Sequence, residues 1–552
     1  MEKLIECVPN FSEGHDTALI KTITDEIEKI DGIKLLDVDP GKATNRTVVT
    51  FVGSPDAVVE AAFHSIKRAS ELIDMSKHKG EHPRMGATDV CPLIPLSGIT
   101  VEETVKYANL LAARVGKELG IPVYLYEYAQ PNKNRSNLSV IREGEYEGFS
   151  KKIKKPEWKP DFGPTELPVR SGATVIGVRD FLVAYNVNLN TTSVRRANSI
   201  AFDIRERGRV VKDEKGNDVH LPGTLKSVKA IGWYIEEYGQ AQVSINLTNI
   251  NIAPVHIAFE EVCKSAQNRG MRVTGSELVG LIPLQSMLDA GKYFLKKQNR
   301  STGVSESELI HIAIKSLGLD DLTEFHPDKK IIEYRMKKES DSALQNLTVK
   351  AFADLTASES PAPGGGSISA YLGSLGAALG TMVANLSSVK KGWEPRIQEF
   401  SDWAEKGQSI KDKLLKAVDE DTAAFNGIMS AFGLPKNTDT EKQARKEAVK
   451  NATISAIEVP YKVMQLSLES MQLIKAMAET GNPNSVSDAG VAALCARSAV
   501  IGAHLNVKIN ASGLADKSPI AQLLQDAAKL ETEAIRLESE VLGIVNKVIG
   551  NS

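Results

Sequence analysis

The sequence predicts an α+β region, made of two ferredoxin-like (split βαβ) subdomains with mixed sheets, followed by an all-α helical-bundle domain. Three observations carry this reading. Short β-branched runs alternate with helical stretches as far as residue 326 or so, and the alternation occurs twice. Beyond residue 346 the chain turns into long alanine- and leucine-rich segments with helical spacing and almost no strand signal. At about 150 residues per domain, a chain of 552 residues has room for such a three- or four-part organisation.

The elements follow in order. A strand is predicted over Leu4–Val8, a helix over Thr17–Ile30, and strands over Ile33–Asp37 and Thr47–Val52 around a Gly/Asn loop. A helix over Pro55–Leu72, strands over Thr88–Ile94 and Pro122–Tyr126, and a helix over Val101–Leu119 between them complete the first unit. The second unit runs from a strand-like stretch, Ala173–Leu189, through a helix over Ser193–Arg207 and strands over Val228–Ile235 and Ala241–Leu247. It closes with a helix over Pro254–Arg269 and strand-like Val273–Ile282. Charged, weakly periodic sequence around residues 324–346 suits a linker. Helices are then expected over Pro395–Phe432, Thr440–Glu479 and Ser518–Ile549. The domains are therefore placed at 1–178, 179–326, 327–346 (linker) and 347–552.

Composition excludes several function classes. Lys+Arg 67 against Asp+Glu 70 leaves a net charge of −3, with no overall bias toward nucleic acid or anionic lipid. Cys7, Cys91, Cys263 and Cys495 are scattered and form no CxxC pair, which points away from a zinc site or disulfide framework and toward a reducing cytoplasm. The N-terminus lacks the basic start and unbroken apolar run of a secretory signal. Pro361–Val389 carries no charge and approaches the length of a bilayer span. Gly373, Gly376, Gly380, Ser369, Ser374 and Thr381 give it a small face, the mark of a buried helix in a bundle.

Several segments offer chemistry. In Lys77–Gly86, KHKGEHPRMG, the breakers Gly80, Pro83 and Gly86 place His82 on a rigid loop, flanked by Glu81 and Arg84. A histidine there is either a solvated bystander or a general acid/base able to move a proton both ways in one cycle. The loop Asp37–Arg46 offers Asp39, Asn45 and Arg46 to orient a polar ligand, or is a turn with Asx capping. Asp161–Thr174, which contains Gly163, Pro164 and Gly172, either cradles a ligand or bridges two subdomains. In the second half, Gly364, Gly365, Gly366 and Ser367 lead into the small-faced helix, where backbone amides favour an electron-rich group. At about 100° per residue, Ile410, Leu414, Ala417, Phe425 and Ile428 fall within roughly 40° of Asp421, while Asp419 falls on the opposite face. Asp421 thus interrupts an apolar stripe, as a buried acid/base or a paired structural carboxylate would. Asp488 follows GNPNSVS and suits a helix cap.

Together these motifs resemble the bifunctional formimidoyltransferase-cyclodeaminase family. The first half carries CVPNFSE (7–13), LLDVD (35–39), TNRTV (44–48), HKGEHPRMGATDV (78–90) and PVYLY (122–126), with DFGP (161–164), FLVAYN (181–186), IGWY (231–234) and AQVS (241–244). The second half carries APGGGS (362–367), VDED with AF (418–425), LPK (434–436) and NVKIN (506–510). The resemblance implies two consecutive steps of histidine breakdown. A formimidoyl group passes from N-formimidoyl-L-glutamate to N5 of tetrahydrofolate, and the 5-formimidoyl product then cyclises to 5,10-methenyltetrahydrofolate with loss of ammonia. It implies His82 as the transferase acid/base and an aspartate of the VDED run for cyclisation, for which the stripe geometry selects Asp421. Asp39, Arg46, Arg84, Gly163, Pro164, Gly172, Gly364, Gly365, Gly366, Ser367, Lys436 and Asp488 are assigned to folate or substrate binding.

The resemblance further implies tetrahydrofolate, polyglutamylated, as co-substrate, no metal, and a ring-like homo-oligomer. No nucleic-acid or membrane partner is expected. Competing readings are a folate-binding scaffold or carrier with one half inactive, and a related donor such as formimidoylglycine.

Overall fold

The computed structural model describes residues 3–41, 44–80, 83–336 and 344–550. The chain separates into two compact units: residues 1–286 with 317–336, and residues 287–316 with 337–552.

The first unit starts with β1 (Leu4–Cys7), β2 (Asn10–Phe11), α1 (Thr17–Glu28), β3 (Ile33–Gly41), β4 (Arg46–Gly53), α2 (Pro55–Leu72) and β5 (Thr88–Ser97). It continues through α3 (Val101–Glu118), β6 (Val123–Glu127), α4 (Leu138–Arg142), α5 (Glu145–Lys152) and β7 (Thr174–Val178). Strands β3, β4, β1 and β5 pair antiparallel in that order, a split βαβ sheet, and β7 and β6 extend it in parallel. Ile5, Cys7, Phe51 and Leu93 from the sheet meet Ile23, Ile27, Val58 and Ile66 from the helices in one core.

A second sheet follows, from β8 (Val183–Leu189), α6 (Val194–Ile204), a β9–β10 hairpin (Arg209–Lys212, Asp218–Leu221), β11 (Val228–Ile235), β12 (Gln240–Leu247), α7 (Val255–Asn268) and β13 (Val273–Val279). The order β11-β12-β8-β13, all antiparallel, repeats the split βαβ topology. Both ferredoxin-like sheets predicted from the alternation are therefore present.

Two local expectations change. The first loop is shorter than the sequence suggests, because β3 stays paired with β4 as far as Gly41, across a bulge between Leu35 and Asp37. The charged stretch after residue 324 is partly structured: α10 (Pro327–Lys330) and α11 (Ile332–Met336) belong to the first unit, with Ile331 and Ile332 fully buried.

The second unit contains most of α8 (Leu284–Lys297) and of α9 (Glu306–Leu317), then α12 (Val349–Thr356), α13 (Gly365–Ser388), α14 (Ile397–Phe432), α15 (Asp439–Thr480), α16 (Val486–Ser512) and α17 (Ala521–Gly550). Residues 287–316 join it through side-chain bonds: Lys292 pairs with Glu405 at 2.8 Å, Thr302 Oγ1 donates to Glu405, and Ser301 Oγ to Asn385 Oδ1. A linear reading of domains has no signal for this excursion, because α8 and α9 continue a normal α/β rhythm.

Helix α13 is the centre of the bundle, packed on α14, α15 and α16. Its small residues are what the packing requires. A Cβ at Gly373 would sit 2.4 Å from Ser467 Oγ, and one at Gly407 of α14 would sit 2.0 Å from Thr381 Oγ1 of α13. Two helices, Gly365–Ser388 and Pro483–Ser512, are long and apolar enough to cross a bilayer, but 61% of the first one's most apolar window is buried inside the bundle.

The close α13–α14 packing yields a paired prediction. Gly407→Val should lower the stability of the helical unit by about 2 kcal/mol or more, through overpacking against Thr381 and Leu473. Gly543→Ala, on the exposed side of α17 with nothing within 4 Å of the new Cβ, should raise it by about 0.5–1 kcal/mol. Calorimetric melts of the full chain check both signs.

Candidate active sites

In the first unit, the segment 75–87 is fastened on both flanks. His82 and Glu81 lie outside the described residues. On one side stands Asn45, in the left-handed region with φ of 47°, which asparagine tolerates better than most residues. Its Oδ1 accepts from Gly14 N (2.9 Å), its Nδ2 donates to Lys79 O (2.8 Å), and its own carbonyl meets His78 Nε2 (2.9 Å). Gly80 passes so close that a Cβ there would lie 2.4 Å from Thr44 O.

On the other side, Arg84 is buried and its guanidinium is committed within the protein. Nη1 donates to Glu145 and Glu147 (3.0 and 2.9 Å), Nη2 to Glu147 (2.6 Å), and Nε to His78 Nδ1 (3.2 Å). The bond to Glu147 holds this arginine above its ordinary value. Lys79, Gly80, Arg84, Gly144, Glu145 and Glu147 line a cleft of about 450 Å³.

The remaining described residues assigned to this site do not line that cleft. Gly172 (φ 67°) backs onto the loop, where a Cβ would lie 2.3 Å from Met85 O, and its neighbours Ser171 and Ala173 exchange backbone bonds with Ala87 and Met85. Gly163 (φ 87°) sits at the other end of the same connection, against Ile121 O and Gly116 of α3, followed by half-buried Pro164. Arg46 is half-buried, and burial pushes its guanidinium down to about 10, with Asp89 opposing. Asp89 in turn is fully buried, pairs with Arg142 and accepts from Met85 N. Asp39 is exposed on β3 opposite Val48 and is not among the described residues lining the cleft. Glu145 and Glu147 were missed in the sequence; the only local sign was Gly144 and Gly148 bracketing them.

In the helical unit, a cavity of about 150 Å³ is lined by Pro361, Ala362, Gly364, Gly365, Gly366, Asp421, Thr422, Phe425, Ile428, Ala456, Asn506 and Asn510. Asp421 projects from α14 toward the first turn of α13. Ser367 Oγ donates to Asp421 Oδ2 at 2.9 Å, and Ser367 N–H adds a backbone bond. A Cβ at Gly366 would lie 2.1 Å from Asp421 Oδ1, so only glycine lets the backbone come this close. Burial raises the Asp421 carboxyl above the ordinary aspartate value, and the two bonds from Ser367 work against that rise.

The stripe argument is explained by the neighbours. Asp419 points elsewhere and accepts from Leu344 N (2.8 Å) and Gln345 Nε2 (2.7 Å), while Glu420 pairs with Lys462. The structure brings Gly364, Gly365, Gly366 and Ser367 to Asp421, a juxtaposition the sequence did not indicate. Lys436 and Asp488 are not: Lys436 is exposed between α14 and α15 and does not line the cavity. Asp488 is in the first turn of α16, about 27 Å along that helix from Asn506. Asn506 and Asn510 enter the cavity from the far end of α16, and their spacing of four residues on one helix was the available signal.

Comparison with known proteins follows this division. Residues 4–179 match the family described as "Formiminotransferase domain, N-terminal subdomain", residues 184–337 "Formiminotransferase domain", and residues 348–529 "Formiminotransferase-cyclodeaminase". A formimidoyltransferase-cyclodeaminase of Gallus gallus is 43% identical over 534 residues, 97% of this chain and 97% of that one. This chain belongs to the formimidoyltransferase-cyclodeaminase family. Its halves also have relatives of their own. A glutamate formimidoyltransferase of Thermoplasma acidophilum is 44% identical over 295 residues, 53% of this chain and 92% of that protein. A methenyltetrahydrofolate cyclohydrolase of Methylorubrum extorquens is 39% identical over 188 residues, 34% of this chain and 90% of that protein.

The hydrogen bonds onto Asp421 give a test that needs no substrate. Ser367→Ala removes the hydroxyl that favours the charged form, so the ionisation of Asp421 should move upward. Carboxyl infrared difference spectra, with Asp421→Asn as the assignment control, would record it. An unchanged or lowered midpoint would contradict the geometry.

Proposed function

We propose that this chain is a bifunctional folate enzyme of histidine degradation, in which each unit carries one active site. The first unit transfers the formimidoyl group from N-formimidoyl-L-glutamate to N5 of tetrahydrofolate and releases glutamate. The second cyclises 5-formimidoyltetrahydrofolate to 5,10-methenyltetrahydrofolate and releases ammonia. The observation that carries this reading is the helical site: a half-buried aspartate in a cavity, in a chain whose two halves separately resemble a glutamate formimidoyltransferase and a methenyltetrahydrofolate cyclohydrolase.

In the transfer step, His82 accepts the proton from N5 as it attacks the formimidoyl carbon, then gives a proton to the departing glutamate nitrogen. Asn45 and Arg84 bind the described segments before and after His82, which supports this role. Arg84 serves there as a positioning residue, with its donors turned to His78, Glu145 and Glu147. In the cyclisation step, Asp421 takes the N10 proton and returns it to the amine, because an amide-type anion is too poor a leaving group unless protonated. Gly364, Gly365 and Gly366 let the substrate approach the helix backbone beside it.

The same proposal includes a polyglutamylated folate, a cytoplasmic setting and a homo-oligomer. Phe425, Met429, Phe432 and Leu434 are exposed near the end of α14, as are Leu505 and Ile509 on α16, and support contact with further copies.

Two substitutions separate the halves. His82→Ala should reduce transfer by about a hundredfold or more while supplied 5-formimidoyltetrahydrofolate is still cyclised, and Asp421→Asn should do the reverse. Loss of both activities in either variant would contradict independent sites. Because Asp421 acts first as a base and burial raises its carboxyl, cyclisation should rise with pH through a midpoint above the ~3.9 of a free aspartate. A rate that stays flat from acid to neutral pH would exclude this aspartate as the base.

A further inference from the structure

Two side chains in the Asp421 cavity have no part in the proton transfer. Asn506 and Asn510 both line the cavity, and their spacing puts them on one face of α16, about 40° apart. Each commits its amide nitrogen to the backbone: Asn506 Nδ2 donates to Gly502 O at 2.9 Å, and Asn510 Nδ2 to Ala456 O at 2.7 Å. Those carbonyls accept only from the NH2 end of the amide, so the orientation of both side chains is fixed. Among the described residues, neither amide oxygen receives a hydrogen bond. The cavity therefore carries two oriented acceptors beside a carboxylate, with the Thr422 hydroxyl and the α13 backbone amides as donors in its wall.

We propose that Asn506 and Asn510 are the specificity-determining residues of the helical site, accepting hydrogen bonds from the terminal nitrogen of a protonated formimidoyl group. This rests on the cyclisation reading above. An amidinium presents N–H donors where a formyl group presents a carbonyl oxygen, and the two groups are otherwise nearly the same size. The two oriented amide oxygens can pair with the N–H donors of the first and not with the carbonyl oxygen of the second, which is how a polar site discriminates between them.

The chemistry balances around this contact. The N10 lone pair forms the C–N10 bond as the C=N π pair moves onto the terminal nitrogen. The N10 proton passes to Asp421 and on to that nitrogen. The C–N bond then breaks, ammonia departs, and the N5 lone pair closes the C=N5 bond of the methenyl cation. The positive charge of the amidinium reappears in the product, and Asp421 ends as it began.

The test uses the full-length protein and two probes: 5-formimidoyltetrahydrofolate as substrate, followed by methenylfolate absorbance, and 5-formyltetrahydrofolate as competitive inhibitor. In Asn506→Ala and in Asn510→Ala, kcat/KM for cyclisation should fall about tenfold or more while the inhibitor constant of the formyl compound stays within about twofold or tightens. Parallel loss of both would indicate a structural role and overturn the inference. Asn510→Asp keeps an acceptor oxygen, so it should retain the preference for formimidoyl over formyl even if the alanine variants fold poorly; a lost preference in it overturns the inference as well. A wild-type protein that does not cyclise the formimidoyl compound would instead overturn the cyclisation reading itself.

Discussion

A Cβ on residue 366 would lie 2.1 Å from Asp421 Oδ1, so the first turn of α13 reaches that carboxylate only because the position is glycine. The rest of the helical unit is arranged to keep this approach in place. Gly373 and Gly376 let α13 lie against α15 and α16, and Gly407 of α14 lets Thr381 in from the other side. With α13 held at that distance, Ser367 meets Asp421 with both its hydroxyl and its amide, and the same end of the bundle brings in Asn506 and Asn510. Desolvation raises the aspartate's proton affinity and the bonds from Ser367 restrain the rise, which leaves a group able to gain and lose a proton.

The first unit reaches a comparable end by another route. There the described segments before and after the acid/base candidate are held by side chains from elsewhere in the unit. Asn45 holds one flank through three bonds and a left-handed backbone, while buried Arg84 holds the other through ion pairs to half-buried Glu145 and exposed Glu147. The cleft lined by Arg84, Glu145 and Glu147 has a volume of about 450 Å³, and the recess beside Asp421 about 150 Å³.

Much of this was legible in the sequence, for physical reasons that can be named. Split βαβ topology shows in the alternation of period-two and helical patterns, and both sheets have the expected strand order. Asp421 was separable from Asp419 because a helix converts two residues of spacing into opposite faces, and Asp419 indeed serves Leu344 and Gln345. The glycines of 364–366 were readable as a close approach, though not the partner they approach. What stayed hidden depends on long-range contacts. Nothing local ties Glu405 to Lys292 and Thr302, so the excursion of residues 287–316 into the helical unit has no sequence signature. Lys436 and Asp488 looked like site residues because they sit in motifs, yet motif membership carries no distance: one is exposed in a connection and the other is at the wrong end of α16. Glu145 and Glu147 were ordinary surface acids until the fold placed Arg84 between them.

The central claim is that one carbon crosses both sites of one chain. Its most direct test is to give the purified protein N-formimidoyl-L-glutamate labelled with 13C at the formimidoyl carbon and 15N at its terminal nitrogen, together with tetrahydrofolate, and to follow both nuclei by NMR. The account predicts that all of the 13C passes through a 5-formimidoyl resonance to the methenyl position, with one 15N-ammonia and one glutamate released per carbon transferred. Accumulation of the 5-formimidoyl species without ammonia, or release of 13C as formate, would contradict it.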